Sequence, residues 1–407
     1  MRTLITTSRM PCAIDEIRKL GQRHHTVVAT DTFRAAPGSH SRYVATARLT
    51  ASPRYDTARF VSDIGDIVRT EAIDLVLPAF EEVFYLAKLR TELPSCEYFF
   101  PRFEILERLH DKAKLVEVAR EIGVAVPRTH VVRSPLELAE AIAELEHFFA
   151  KPVFSRGGVD LFTNWGPLAG TVQLAQCEPS ASQPWIVQEF VNGKDVCTFS
   201  VVQRGTVTGH VAYVHPREIE HAGGIVFESI DDPEALDICQ RAAELLRYHG
   251  QLSFDFMRTP QGLVLIECNP RPTAGVHLMS AETFEQALLD KSGAELRVVE
   301  AGVRRKYGVA LVRDMLVHAR EAREDARYLF SRIPDAITDA DDLLPALYQV
   351  FSYGRVFTYR RQHGSKDGSR RGTRLMAAYF DDVCWNGEPI PERADLRTEN
   401  PLELPVG

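Results

Sequence analysis

The chain has 407 residues, 45% of them hydrophobic and 26% charged, with a formal net charge of −8. That length suggests two to four structural units, and the composition is that of an ordinary soluble protein. The acidic balance argues against nucleic acid as the main partner, and no apolar run approaches the ~18 to 20 residues that cross a membrane.

The N-terminus enters a strand at once, Thr3–Thr7, without the apolar core of a signal peptide, so the chain is expected in the cytoplasm. Seven scattered cysteines with no CxxC pair fit a reducing cytosol and argue against a zinc or dithiol site. After strand one come the loop 8–11, a helix over about Cys12–Leu20 ended by Gly21, and a second strand, Thr26–Thr30, ending at Asp31. A short buried strand, Ile73–Leu77, leads into Pro78-Ala79-Phe80-Glu81-Glu82. Strands alternating with helices predict a parallel α/β sheet, whose ligands gather at the carboxyl ends of the strands. Ser8, Arg9, Asp31 and Glu81 then lie near one crevice, although Ser8-Arg9 reads equally well as a surface turn. No GxGxxG follows strand one, so a dinucleotide site is not supported.

From about Ile105 the pattern changes. Leu109-His110-Asp111-Lys112 leads a helix through Ala119 that Gly123 closes. A strand Thr129–Val132, a helix Leu136–Leu145 and a strand Phe148–Val153 carrying Lys151 follow. The loop from Phe154 through Ser155, Gly157 and Gly158 to Val159 is of the kind whose backbone amides cradle phosphate oxygens, or a plain turn. Strand Trp185–Val191 runs into a short linker and then Val196–Val202, with Asp195 between them. Gly209–Val214 ends in His215-Pro216-Arg217, and the loop from Glu220 to Gly224 contains His221. Both histidines read more simply as structural residues.

Leu252–Met257 and Leu263–Arg271, joined by a turn over Arg258–Gly262, form a predicted β-hairpin. Side chains at i, i+2 and i+4 share one face of a strand, so Glu267, Asn269 and Arg271 line one edge, with Asp255 on the adjacent arm. Two acids and an amide suit Mg²⁺, one ion or two, with Mn²⁺ able to substitute. The arginine fork suits phosphate. Beyond Gly293 the expectations are one or two helices over 313–330, a helix over 343–350, a basic stretch over 355–374 that is a flexible loop or a lid, and a strand over 376–380.

In this order the motifs resemble the ATP-grasp superfamily of carboxylate–amine ligases, over roughly residues 1–300. Lys112 and Lys151 look like its two phosphate lysines, and Ser155, Gly157 and Gly158 like its flexible loop over the triphosphate. Gln188, Glu189, Phe190 and Val191 look like the adenine-binding hinge, with Asp195 at the ribose position where glutamate is common. Asp255, Glu267 and Asn269 match the metal ligands, and Arg271 the arginine that steadies the transferred group. Glu81 falls near the acceptor substrate.

The resemblance implies an α/β fold with α+β elements in three parts. These are a Rossmann-like parallel-sheet domain over 1–105, a two-lobed ATP-grasp domain over 106–300 (small lobe about 125–190, large lobe about 191–300), and an extension of unknown role over 301–407. It also implies ATP and Mg²⁺ as cofactors, small-molecule carboxylate and amine substrates, and a dimer, as family members often are. The expected reaction passes through an acyl phosphate to an amide, with Arg217, or Arg9, on a substrate carboxylate. A different acceptor (a hydroxyl, an enol or bicarbonate) and a non-catalytic ATP-binding protein are the alternatives.

Overall fold

A computed structural model describes residues 1–155, 161–219, 223–318, 320–355 and 379–391. The first part follows β1 (Arg2–Ile5), α1 (Pro11–Gln22), β2 (Thr26–Asp31), β3 (Val44–Leu49), α2 (Thr57–Thr70), β4 (Leu75–Leu77), α3 (Glu82–Lys88) and β5 (Glu97–Tyr98). The five strands form one parallel sheet in the order β3-β2-β1-β4-β5. Its central strands are near-continuous apolar runs because helices cover both faces: Leu4, Val28 and Val76 are fully buried.

Two helix boundaries differ from the sequence expectation, each for a local reason. Gly21 does not end α1 but lies inside it, where a Cβ would come within 2.4 Å of the Tyr43 Cβ. The glycine marks a close approach between α1 and the chain beside it rather than a stop. The helix expected through Leu109–Ala119 is instead two, α4 (Phe103–His110) and α5 (Lys112–Glu121). Asp111 is extended and caps α5, accepting from the amides of Ala113 at 2.8 Å and Lys114 at 3.1 Å. Gly123 follows α5 with φ +67°, as a helix-terminating glycine does.

The next stretch holds β6 (Thr129–Val132), α6 (Pro135–Ala143), β7 (Phe148–Pro152), β8 (Phe162–Thr163) and β9 (Trp185–Glu189). Its antiparallel sheet runs β6-β9-β7-β8. A longer stretch follows with β10 (Lys194–Gln203), β11 (Thr206–Ile219), β12 (Gly223–Ile230), α7 (Pro233–Leu246), β13 (Gly250–Thr259), β14 (Gly262–Asn269), α8 (Ala281–Leu289), β15 (Arg297–Val298) and β16 (Arg304–Lys306). Its sheet runs β14-β13-β10-β11-β12-β16, with β15 added beside β11. β16 carries this sheet past residue 300. β11 does not stop at Val214 but passes through Pro216, which its register shifts accommodate.

The extension begins with α9 (Gly308–Val317), α10 (Ala322–Leu329) and α11 (Leu344–Ser352), so the 313–330 stretch is two helices. Most of the basic 355–374 stretch lies outside the described residues, as do His221 and positions 376–378 of the expected last strand. Tyr379 and Phe380 are helical, not extended. The chain then returns to the first domain, where Trp385 and Ile390 are buried among Phe84, Tyr98, Phe100 and Leu106.

Candidate active site

β13 and β14 set the site. Asp255 and Glu267 are direct partners in their ladder, as the hairpin predicted, with a bulge immediately after Asp255. Like charges opposite one another are unfavourable unless a cation intervenes. Lys112, at the first position of α5, and Lys151, on β7, supply cations: each Nζ lies 3.5 Å from Glu267 Oε2. Burial acts to raise the Glu267 carboxyl, but Lys112, Lys151, His110 and Arg271 hold it down to about 2. Burial, with the Glu267 charge adding to it, pushes Asp255 up to about 6.

A chain of contacts leads on from this pair. Asn269 Nδ2 donates to Asp255 Oδ2 at 3.0 Å, and Arg271 Nη2 donates to Asn269 Oδ1 at 3.0 Å. Arg271 sits in the bend after β14 rather than on the strand, which turns its guanidinium toward the first domain. Its Cζ lies 4.6 Å from the Phe80 ring centroid and its Nη2 is 3.8 Å from Glu81 Oε1. Its Nε is buried with no hydrogen-bond partner among the described residues. A buried unsatisfied donor on a cation is costly, and an anionic ligand would satisfy it.

Lys112 Nζ also donates to the carbonyl of Ser155 at 2.8 Å, which ties α5 to the start of the expected phosphate loop. Gly157 and Gly158 lie outside the described residues. Gln188 and Glu189 end β9, with Gln188 Nε2 bonded to Thr129 Oγ1 at 3.1 Å. Phe190 and Val191 then link the β6-β9-β7-β8 sheet to β10 of the next sheet, and Phe190 stacks on Phe149 at 4.8 Å. Asp195 is exposed on β10; His215 and Glu218 on β11 bring ligand atoms that all lie within 4.8 Å of one another and of Asp195. Burial, with Asp195 adding to it, raises the Glu218 carboxyl to about 7.

Two arginines expected at substrate are otherwise engaged. Arg217 binds Asp314 and Asp325, each at 2.7 Å, and also Glu321, so it ties β11 to α9 and α10. Together with His215, Glu218 and His318 it lines a cavity of about 330 Å³. Arg9 is no surface turn: its side chain is fully buried, bonded to Asp31, Asp382, Thr32 and the Tyr379 carbonyl. A guanidinium already held by two or three carboxylates has few donors left for a substrate. Sequence reasoning also missed Trp385, whose amide donates to Glu81 Oε2 at 3.1 Å. No motif signalled it.

Comparison with known proteins now identifies the architecture. The ATP-grasp domain family model matches residues 109–275, which span the lysines, the hinge and the β13–β14 hairpin. Residues 109–275 therefore carry an ATP-grasp domain. The carbamoyl phosphate synthase arginine-specific large chain of Bacillus subtilis (strain 168) is 23% identical over 225 residues, covering 51% of this chain. The chain spans 22% of the length of that curated relative. Among solved structures, N5-carboxyaminoimidazole synthetase from Staphylococcus aureus complexed with ADP covers 80% of this chain and 86% of its own, at a TM-score of 0.59 and 16% identity. Biotin carboxylase from Campylobacter jejuni covers 72% of this chain and 73% of its own, at a TM-score of 0.55 and 14% identity. These two share the fold with this chain. Among the described residues no helix is long and apolar enough to cross a membrane.

Proposed function

We propose that this ATP-grasp chain is an ADP-forming ligase that activates a substrate carboxylate as an acyl phosphate and joins it to an amine. The observation that carries this reading is the convergence of Lys112 and Lys151 on Glu267, with Asp255 opposite and Arg271 leading to Glu81. In the proposed reaction a carboxylate oxygen attacks the γ-phosphorus of ATP in line, and ADP leaves. The amine nitrogen then attacks the acyl carbon, phosphate leaves and the nitrogen loses a proton.

The protein's part is positioning and charge neutralisation. Lys112 and Lys151 would hold phosphate oxygens, with the Gln188–Val191 link on the adenine, Asp195 near the ribose and Ser155 at the loop. Asp255, Glu267 and Asn269 fit a hard cation, because two carboxylates in direct register otherwise repel. They would hold Mg²⁺, or Mn²⁺ in its place, which when bound offsets the charge of the triphosphate. Arg271, with its unsatisfied Nε, would steady the migrating phosphoryl group, and Glu81 faces it from the acceptor side.

The relative named a carbamoyl phosphate synthase and the neighbour named a biotin carboxylase favour a second reading, in which the acceptor is bicarbonate or another group that is not an amino acid. Phosphate release with Mg·ATP, screened over carboxylic acids, bicarbonate and hydroxyl compounds, each paired with amines and alone, with mass detection of products, tests both. An amide product supports the first reading; ADP formation without one supports the second; no release in any combination overturns both.

A further inference from the structure

The described end of the extension, residues 379–391, lies against the first domain, and its Trp385 touches both ends of the site. On one side its backbone amide donates to Glu81 Oε2 at 3.1 Å, a charge-assisted bond, and Glu81 Oε1 faces Arg271 at 3.8 Å. On the other side its indole stands edge-on to Phe154 at 5.0 Å. Phe154 immediately precedes Ser155, whose carbonyl receives Lys112 Nζ. Gly387 lies so close that a Cβ there would be 2.3 Å from the Phe154 ring.

The indole is itself firmly seated. It stacks on Phe84 at 4.7 Å, meets Phe103 at 5.4 Å and donates from Nε1 to the Glu388 carbonyl at 2.8 Å. The neighbouring Cys384 carbonyl accepts from Tyr85 at 2.9 Å. Arg54 holds Asp381 at 2.6 Å and Glu388 at 3.0 Å. The ring packs on Phe154 while the backbone amide of the same residue holds Glu81, so the packed interior passes a displacement of one toward the other.

We propose that Trp385 is a positioning residue that sets Glu81 against Arg271 and Phe154 beside Ser155 and Lys112 together, so that the acceptor and phosphate sides of the site are coupled through it. This rests on the ligase reading above.

The test uses the full chain. Isothermal titration with Mg·ATP, well below the melting temperature, compares wild type with Trp385→Ala and Trp385→Phe. The Ala variant is expected to bind about tenfold more weakly, and the Phe variant, which keeps an aromatic ring against Phe84 and Phe154, to recover to within about threefold. A lowered melting temperature with unchanged affinity would mean a merely structural role and overturns the proposal. If the Ala variant does not fold, fluorescence decides: with Trp165→Phe and Trp185→Phe, Trp385 is the sole tryptophan, and Mg·ADP is expected to shift its emission. That shift is expected to fall by at least half when Glu81→Gln is added. No shift, or a shift indifferent to Glu81, overturns the coupling. A wild-type chain that binds no Mg·ATP overturns the ligase reading and the proposal with it, whereas normal wild-type binding beside an unaffected Ala variant overturns the proposal alone.

Discussion

Asp255 and Glu267 face each other across the β13–β14 ladder, yet their carboxyls are pushed to opposite ends of the acid range, about 6 and about 2. The asymmetry comes from the neighbours. Both lysines stand on the Glu267 side, while Asp255 is offered an amide from Asn269. A site built this way keeps one carboxylate charged in the absence of ligand and leaves the other poised to take a cation.

Glu267→Gln removes the charge on which Lys112 and Lys151 converge. Turnover with Mg·ATP is expected to fall by about two orders of magnitude, the usual cost of losing one preorganised charge. Phosphate release under saturating ATP checks it, and near-normal turnover would remove Glu267 from the metal set.

Asp255→Asn acts differently because the native carboxyl is strained by its partner. Without metal the variant is expected to melt at a higher temperature than wild type at neutral pH, since it removes a buried like-charge pair. The rise in melting temperature that Mg²⁺ gives the wild type should be lost. Thermal denaturation with and without Mg²⁺ measures both; a less stable variant that still responds to Mg²⁺ would contradict the assignment.

The hairpin, its facing acids and Lys151 were legible in the sequence because period-2 patterning, Pro/Gly punctuation and charged residues at strand ends are local signals. Lys112 was named too, but the break at Asp111 that places it first in α5 was hidden by an apolar period running straight through. The contacts of Arg9, Arg217 and Trp385 were not legible, for one reason. Their partners lie far along the chain: Asp382 is 373 residues from Arg9, Asp325 is 108 from Arg217, and Glu81 is 304 from Trp385. No pattern within a window of a dozen residues reports such pairings.

Arg217→Ala separates the two readings of that residue. As a tether it leaves Asp314, Glu321 and Asp325 facing one another without their common cation. The expected result is a stability loss of about 2 to 3 kcal/mol, reduced from the buried-pair range because the cluster is partly open to solvent. Turnover of the folded variant should stay within about threefold of wild type. Denaturant unfolding and steady-state phosphate release check the two halves; a large loss of turnover in a stable variant would return Arg217 to the substrate.

His210, on β11, gives the fold an acid-sensitive point. It is buried between β10 and the helices packed on β11, with Nδ1 2.9 Å from Ser200 Oγ, and burial lowers its pKa from 6.5 to about 4. The unfolded chain therefore binds a proton between pH 4 and 6.5 that the folded chain refuses, so stability rises with pH across that window and is lost as pH falls through it. A shift of this size corresponds to about 3 kcal/mol between pH 7 and pH 4, roughly two-thirds of it already gone at pH 5. Denaturant titrations at pH 7 and pH 5 are expected to show the loss in wild type and a shallower slope in His210→Leu, which has no proton to take up. Equal slopes in the two proteins would place the acid sensitivity elsewhere.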